Sequence, residues 1–171
     1  NSQVDGRIWT AEEWQRRSND DLDDRDLNKF TIGTGTPENP ATNGFPGYNG
    51  VELEKYQNYN YMVEVDPRQA RAIRKQYNWG RNWFEGGTVL PDNRTVILGV
   101  DASPAFLYKF VADVAGDFSA GTLYAFKQDE NAYTGTWVEV NSGTNITDDS
   151  FLNVNDQAAE LGCALFIRIE W

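Results

Sequence analysis

The chain contains no histidine and a single cysteine. Without histidine, it cannot use a Ser-His-Asp triad, histidine acid–base catalysis or the histidine ligands of common zinc sites. Cys163 has no partner for an internal disulfide. It lies in the apolar run Leu161-Gly162-Cys163-Ala164-Leu165, which predicts a buried, inert thiol. Any chemistry must therefore use carboxylates, arginine, lysine, tyrosine or a metal ion.

Basic residues are also scarce, since 15 Lys and Arg stand against 26 Asp and Glu, for a net charge of −11. Phosphate-rich partners need a basic surface, so neither nucleic acid nor an anionic membrane is an expected partner. No apolar run is long enough to span a membrane. The acidic excess has two interpretations: a solvated surface, or carboxylates that hold a hard cation such as calcium.

Both ends of the sequence favour a longer parent protein. The chain begins at Asn1 rather than Met, and we expect that a signal peptide, a propeptide or a larger segment has been removed. The last residues, Ile167-Arg168-Ile169-Glu170-Trp171, alternate as in a half-buried strand, which puts Arg168 and Glu170 on one face. We expect this strand either to dock into a finished sheet or to belong to a longer protein.

Aromatic residues make up 13% of the chain, and Gly, Asn, Asp and Thr are frequent, which favours strands and turns. Strands are predicted over residues 6–14, 61–65, 94–98, 106–111, 122–126 and 136–140, with turn signals at 91–93, 101–104 and 116–121. The pattern also predicts a long loop over 31–50, a helix over 155–161, and a short helix or connecting strand over 68–77.

Strands at short, regular spacing predict a mainly β fold with one or two short helices. A sandwich, a barrel and a propeller all fit this spacing. The sequence has no clean internal repeat that would single out the propeller.

Four acidic residues are candidates for chemistry because each lies among apolar or small residues, at a strand end or next to a turn: Glu12, Glu85, Asp101 and Glu170. A carboxylate is costly to bury there unless it is paired or bound to metal. Glu85 is the clearest case, since the two glycines after it leave room for a ligand or another backbone. For Glu85 and Asp101, the residue types alone leave two interpretations open: metal ligands, or solvated turn residues.

The acidic run from Asn19 to Asp26 is a separate possibility for cation binding. It lacks the central glycine and the terminal glutamate of an EF-hand calcium loop. We therefore expect a solvated loop.

The order of several segments between Tyr59 and Phe126 resembles the PhoX-type alkaline phosphatases. These segments are Asn60 to Pro67, Phe84-Glu85-Gly86-Gly87, Asp101, Leu107 to Val111, and Gly121 to Tyr124. The family's acidic motifs are His-Glu-Gly-Ala and Gly-Asp-Asp-Glu, and their Glu and second Asp match Glu85 and Asp101. Two outer matches bracket this stretch: Gly6 to Glu13 with the family's Thr-Cys-Glu-Glu strand, and 162–170 with its Arg-Pro-Glu segment.

PhoX-type enzymes are calcium-dependent phosphomonoesterases built on a β-propeller, and the resemblance carries their roles to matching residues. It implies that Glu85, Asp101 and Glu170 are metal ligands, that Glu12 is a further candidate ligand, and that Arg168 is the catalytic arginine that contacts phosphate. This chemistry needs no histidine, because carboxylates hold hard cations and an arginine clamps phosphate oxygens.

The chain departs from the family pattern at four positions. Ala11 stands where the family has the cysteine that bridges two irons, which argues against a thiolate-bridged iron pair and leaves calcium as the expected ion. Phe84, Val100 and Ile169 replace the family's His, first Asp and Pro.

Two functions remain open at this point. The first, which the resemblance favours, is a single partial β-propeller domain over 1–171, with antiparallel blades, from a periplasmic or extracellular phosphomonoesterase. The second is a catalytically degenerate relative that serves as a structural or binding subunit of a larger assembly. In both cases, we expect the exposed strand edges of this partial domain to pack against the remainder of its own propeller or against a partner chain.

Overall fold

The computed structural model describes residues 6–12, 29–31, 52–54, 60–101, 105–130, 132–143 and 154–163. The chain divides into two compact units, one of residues 1–14 with 60–171 and one of residues 15–59. In the smaller unit, strand β2 (Lys29–Thr31) pairs antiparallel with β3 (Glu52–Glu54).

The larger unit contains two antiparallel sheets. The first has the order β1-β4-β5, with β1 at Ile8–Ala11, β4 at Met62–Asp66 and β5 at Arg71–Lys75. The second is a five-stranded meander of β6 (Phe84–Val89), β7 (Thr95–Val100), β8 (Phe106–Val114), β9 (Asp117–Gln128) and β10 (Gly135–Gly143). A 3-10 turn at Tyr77–Trp79 leads from one sheet to the other, and helix α1 spans Val154–Glu160.

Period-2 alternation explains why the meander forms. Along β8, alternate side chains are buried from Phe106 to Ala112, while those between them are half-buried. The turn before β7 forms because Asp92 accepts hydrogen bonds from the backbone N–H groups of Arg94 and Thr95, at 3.0 and 2.9 Å. These bonds, with Thr95 first, lower the pKa of the Asp92 carboxyl. The predicted turn at 91–93 is therefore confirmed.

The strand β5 lies at the edge of the first sheet among the described strands, and its register is irregular. Glu64 faces Arg74 while Val65 faces Ala72, so Ile73 is the extra residue of a β-bulge. All of β5 except Lys75 is exposed, including Ile73.

Aromatic rings fill the core of the larger unit. The rings of Trp9 and Trp79 lie 4.7 Å apart between centroids, and Phe118 meets both edge-on at 5.7 and 5.6 Å. Trp9 comes from β1 and Phe118 from β9, so this cluster joins the two sheets through the 3-10 turn. Rings packed in this way add to the free energy gained from burying apolar area.

Helix α1 docks on the meander through apolar and polar contacts. Val154 and Ala158 are fully buried, and the Tyr108 hydroxyl donates to Asn155 Oδ1 at 2.6 Å. The helix ends at Glu160, and Gly162 follows in the turn with a φ of 73°, which suits a residue without a side chain. Cys163 follows and is fully buried, as the sequence predicted, and desolvation raises the pKa of its thiol.

The mainly β fold is confirmed, and so is the short helix, one residue earlier than predicted. Residues 68–77 contain a strand, which was one of the two predicted alternatives. The turn predicted over 116–121 is wrong after Gly116, because β9 already begins at Asp117. The strand predicted over 6–14 is described only at Ile8–Ala11, and Thr31 of the predicted loop belongs to β2. The propeller assignment and the single 1–171 domain stay predictions.

Ionisation of Tyr108 provides a test of how α1 docks. Burial raises the pKa of Tyr108 well above its ordinary value near 10. Below pH 10, the folded and unfolded states both keep this proton. Above pH 10, only the unfolded state loses it, so stability falls as the pH rises, by up to about 1.4 kcal/mol per pH unit.

We expect Tyr108→Phe to cost about 1 kcal/mol at pH 8, from the lost hydrogen bond, and to remove this part of the alkaline loss. Urea unfolding between pH 8 and 11 measures both effects. A stability difference between the wild type and the variant that does not change with pH would contradict the buried position of the hydroxyl.

Candidate functional site

Glu85 is the extra residue of a second β-bulge. Phe84 faces Val100 and Gly86 faces Gly99, so the register between β6 and β7 shifts at Glu85. Bulges re-aim a side chain and are frequent next to active sites. Glu85 lies inside β6, as its second residue, and is half-buried. The interpretation of Glu85 as a solvated turn residue does not describe its position.

Glu85 and Asp101 lie at the same end of the β6–β7 pair, on the same face. Phe84 and Val100 are opposite each other and point into the core, with 1% and 0% of their surface exposed. Asp101 follows Val100 and is half-buried, so alternation directs it to the other side of the sheet, as it does Glu85. A β-carbon built on Gly87 would meet Leu98 and Met62, which places Gly87 on the core side and keeps Glu85 on the outer side.

The backbone fixes the position of Asp101. Its N–H donates to the carbonyl of Trp83 at 2.9 Å, which extends the β6–β7 ladder by one pair. Trp83 therefore stands opposite Asp101, and Glu85 is the diagonal neighbour two residues further along. Diagonal neighbours on one face are within reach of long side chains. The sequence predicted Asp101 at a strand end, and this is confirmed.

Glu12 is held by the first sheet. Its backbone N–H donates to the Tyr61 carbonyl at 3.0 Å, and its Oε2 accepts from the Tyr61 N–H at 3.3 Å. Its Oε1 lies 2.9 Å from Lys75 Nζ, in an ion pair whose two side chains are each 26% exposed. A cation bound by Glu12 would therefore have to displace the Lys75 ammonium group.

A buried carboxylate that the sequence analysis did not select lies in β4. Only 5% of Glu64 is exposed. Its oxygens face Arg7 Nη1 at 3.9 Å and Arg74 Nε at 3.4 Å, and one accepts from Gln76 Nε2 at 3.4 Å. The sequence signal was a charged residue between valines in the strand Met62–Asp66, where alternation gives Glu64 the buried face of Met62.

Over the described ranges, no three His, Cys, Asp or Glu side chains come together in a way that could hold a metal ion. Arg168 and Glu170, and the terminal strand predicted for them, lie outside the described residues, as does the acidic run 19–26. Of the predicted site residues, Glu85 and Asp101 lie at the same end of the β6–β7 pair.

Comparison with family models identifies the family of the chain. The family model "Alkaline phosphatase PhoX" matches residues 6–171. The chain belongs to the PhoX family. Searches of the curated proteins and of the solved structures find no match. The PhoX family is metal-dependent. Among the helices that the structure describes, none is long and apolar enough to cross a membrane.

The described residues do not fit an iron pair bridged by a thiolate. Ala11, in place of the bridging cysteine, is half-buried and packs against the apolar core. Cys163 is fully buried beside α1, and its Sγ lies 3.9 Å from the Ala125 carbonyl oxygen. Glu85 and Asp101 offer carboxylate oxygens, which are the donors that calcium prefers.

The Glu64 cluster gives a prediction about stability. Glu64→Ala removes the buried carboxylate that faces the Arg7 guanidinium, which is 21% exposed. We expect a loss of about 3 kcal/mol, because removing one partner of a buried ion pair is strongly destabilising. Arg74→Ala removes a partner that is 47% exposed and should cost about 0–1 kcal/mol. Urea denaturation of both variants measures the two losses in unfolding free energy. Equal losses would contradict the central role of Arg7 in the Glu64 cluster.

Proposed function

We propose that this protein is a calcium-dependent phosphomonoesterase, or part of one. The observation that carries the proposal is the placement of Glu85 and Asp101 on one face at one strand end, with a bulge at Glu85. Membership of the PhoX family supports the same reaction class. The substrate would be a phosphate monoester.

In this proposal, Glu85 and Asp101 hold the cation, with Glu170 as a further ligand and Arg168 as the catalytic residue on the phosphate. A bound calcium ion would neutralise phosphate charge and polarise the P–O bond. The two carboxylates alone would repel a phosphate, so phosphate binding requires the cation. Arg168 would bind two phosphate oxygens at once through its planar guanidinium group.

Glu12 has a different part in the proposal. Because Lys75 already neutralises its carboxylate at 2.9 Å, Glu12 would join the metal site only after this ion pair opens. Glu12 would then bind a second cation. Calcium binding at Glu85 and Asp101 would not require Glu12.

A degenerate relative is the second candidate function. Three substitutions favour it, namely Ala11, Phe84 and Val100 in place of family residues, and so does the Lys75 ammonium at Glu12. Such a protein would keep the sheets and act as a structural or binding subunit of a larger assembly. Wild-type protein that binds no metal and turns over no ester, but associates stably with another chain, would support it.

Two further features belong to the proposal. We place the protein in the periplasm or outside the cell, since PhoX proteins are typically secreted. We also expect the sheets to pack against the remainder of the same propeller or a partner chain, with no role for nucleic acid.

Removal of single carboxylates tests the site. We expect Glu85→Gln and Asp101→Asn each to weaken calcium binding about tenfold or more and to reduce phosphatase activity further, because each removes a charged oxygen donor. Titration calorimetry and hydrolysis of a chromogenic phosphate ester, with and without chelator, measure the two effects on the full chain.

The matched control is Glu139→Gln, which removes an exposed carboxylate from β10 of the same sheet. It should leave both properties unchanged. Wild-type calcium affinity and wild-type turnover in both site variants would refute the assignment of Glu85 and Asp101.

A further inference from the structure

The outer face of the meander, which is the side turned away from the apolar core, carries a row of two opposite charges with a ring between them. Lys109 on β8 faces Tyr124 on β9, and Tyr124 faces Glu139 on β10. Neighbouring strands lie about 4.8 Å apart, so Lys109 and Glu139 stand about 10 Å apart on either side of Tyr124. The order across the sheet is therefore positive, aromatic, negative.

The Lys109 ammonium group contacts aromatic rings and no carboxylate. Its Nζ lies 4.8 Å from the ring centre of Tyr124 and 4.7 Å from that of Trp137. Partial burial lowers the pKa of Lys109 through desolvation. Within the part of the chain that the structure describes, neither Lys109 nor the exposed Glu139 forms an ion pair. A carboxylate from another molecule would therefore stabilise this ammonium group.

Apolar side chains lie beside the charged row on the same face. Phe126 faces Trp137 in the register of β9 and β10, and their ring centroids are 5.2 Å apart. Leu107 precedes Lys109 by two residues on β8, so alternation puts it on this face as well. All three apolar side chains are half-buried. Contiguous apolar surface of this kind marks protein interaction sites.

We propose that a second copy of this chain packs on the outer face, about a two-fold axis that runs parallel to β9 above Tyr124. This axis puts Lys109 of each copy opposite Glu139 of the other, and it puts Leu107 opposite Trp137. The surface is thus self-complementary in charge and in apolar contact, as a two-fold interface requires. Two sheets packed face to face with nearly aligned strands are a common arrangement.

The dimer leaves the candidate site accessible. With the axis above β9, the strand β8 of each copy covers β10 of the other, while β6 and β7 lie beyond the second copy's β10. Glu85 and Asp101 are at the end of the β6–β7 pair and stay uncovered. The net charge of −11 opposes self-association at long range, so association depends on the specific Lys109–Glu139 pairs.

Charge reversal tests the interface, with sedimentation velocity of the full chain as the measurement. We expect wild type to dimerise as its concentration rises. Lys109→Glu and Glu139→Lys each put like charges opposite each other at two places, so each should raise the dimer dissociation constant about a hundredfold or more. The double variant Lys109→Glu/Glu139→Lys exchanges the two charges and should dimerise again. A mixture of the two single variants should also dimerise, because their charges are complementary across the axis.

The matched control is Lys127→Glu, which makes the same charge change on β9 where the lysine donates to the Leu161 carbonyl beside α1. It should leave the dimer dissociation constant unchanged. Wild type that stays monomeric at all concentrations overturns the inference. A dimer that survives both single reversals, or that neither the double variant nor the mixture restores, overturns it as well. Calcium binding is a separate readout, since Glu139→Gln should weaken the dimer and leave calcium affinity as it is.

Discussion

The ion pair between Arg7 and Glu64 is the constraint on which the larger unit depends. Glu64 places a carboxylate among buried residues of β4, and Arg7 supplies the guanidinium at 3.9 Å. The same guanidinium donates to the Gly116 carbonyl at 3.1 Å and to Asn93 Oδ1 at 3.0 Å, and it lies 4.8 Å from the Phe118 ring centre. One side chain thus connects the first sheet to two turns of the meander, which fixes β1 and its neighbour Glu12.

The candidate site depends on a local structural feature, the bulge in β6. A regular strand would alternate strictly from Phe84 onward, and Gly87 would then leave the core side. The extra residue keeps Phe84 and Gly87 both turned inward while Glu85 turns outward beside Asp101. The two glycines after Glu85 make this possible at low cost, because the bulged backbone approaches its neighbours closely. The sequence feature that drew attention to Glu85 is therefore the feature that positions it.

Much of the fold follows from alternation, which is a local property of the chain. The strands β7 to β10 and the buried Cys163 were predictable because apolar residues recur at every second position or gather in one run. The strand β6 was missed because Gly86 and Gly87 are poor strand formers, and only pairing with β7 makes them extended. The pairing of Glu12 with Lys75 joins residues far apart in sequence. No local pattern encodes such a contact, so the sequence suggested the ligand without its ammonium partner.

The bulge at Ile73 has a consequence for how the protein behaves at high concentration. An edge strand with free backbone groups invites a strand from another molecule. In β5, which is an edge among the described strands, the extra residue breaks the regular spacing of those groups at the exposed Ile73. A second copy of this strand would therefore meet it out of register. A single irregular residue thus makes the edge a poorer template for another strand than a regular one would be.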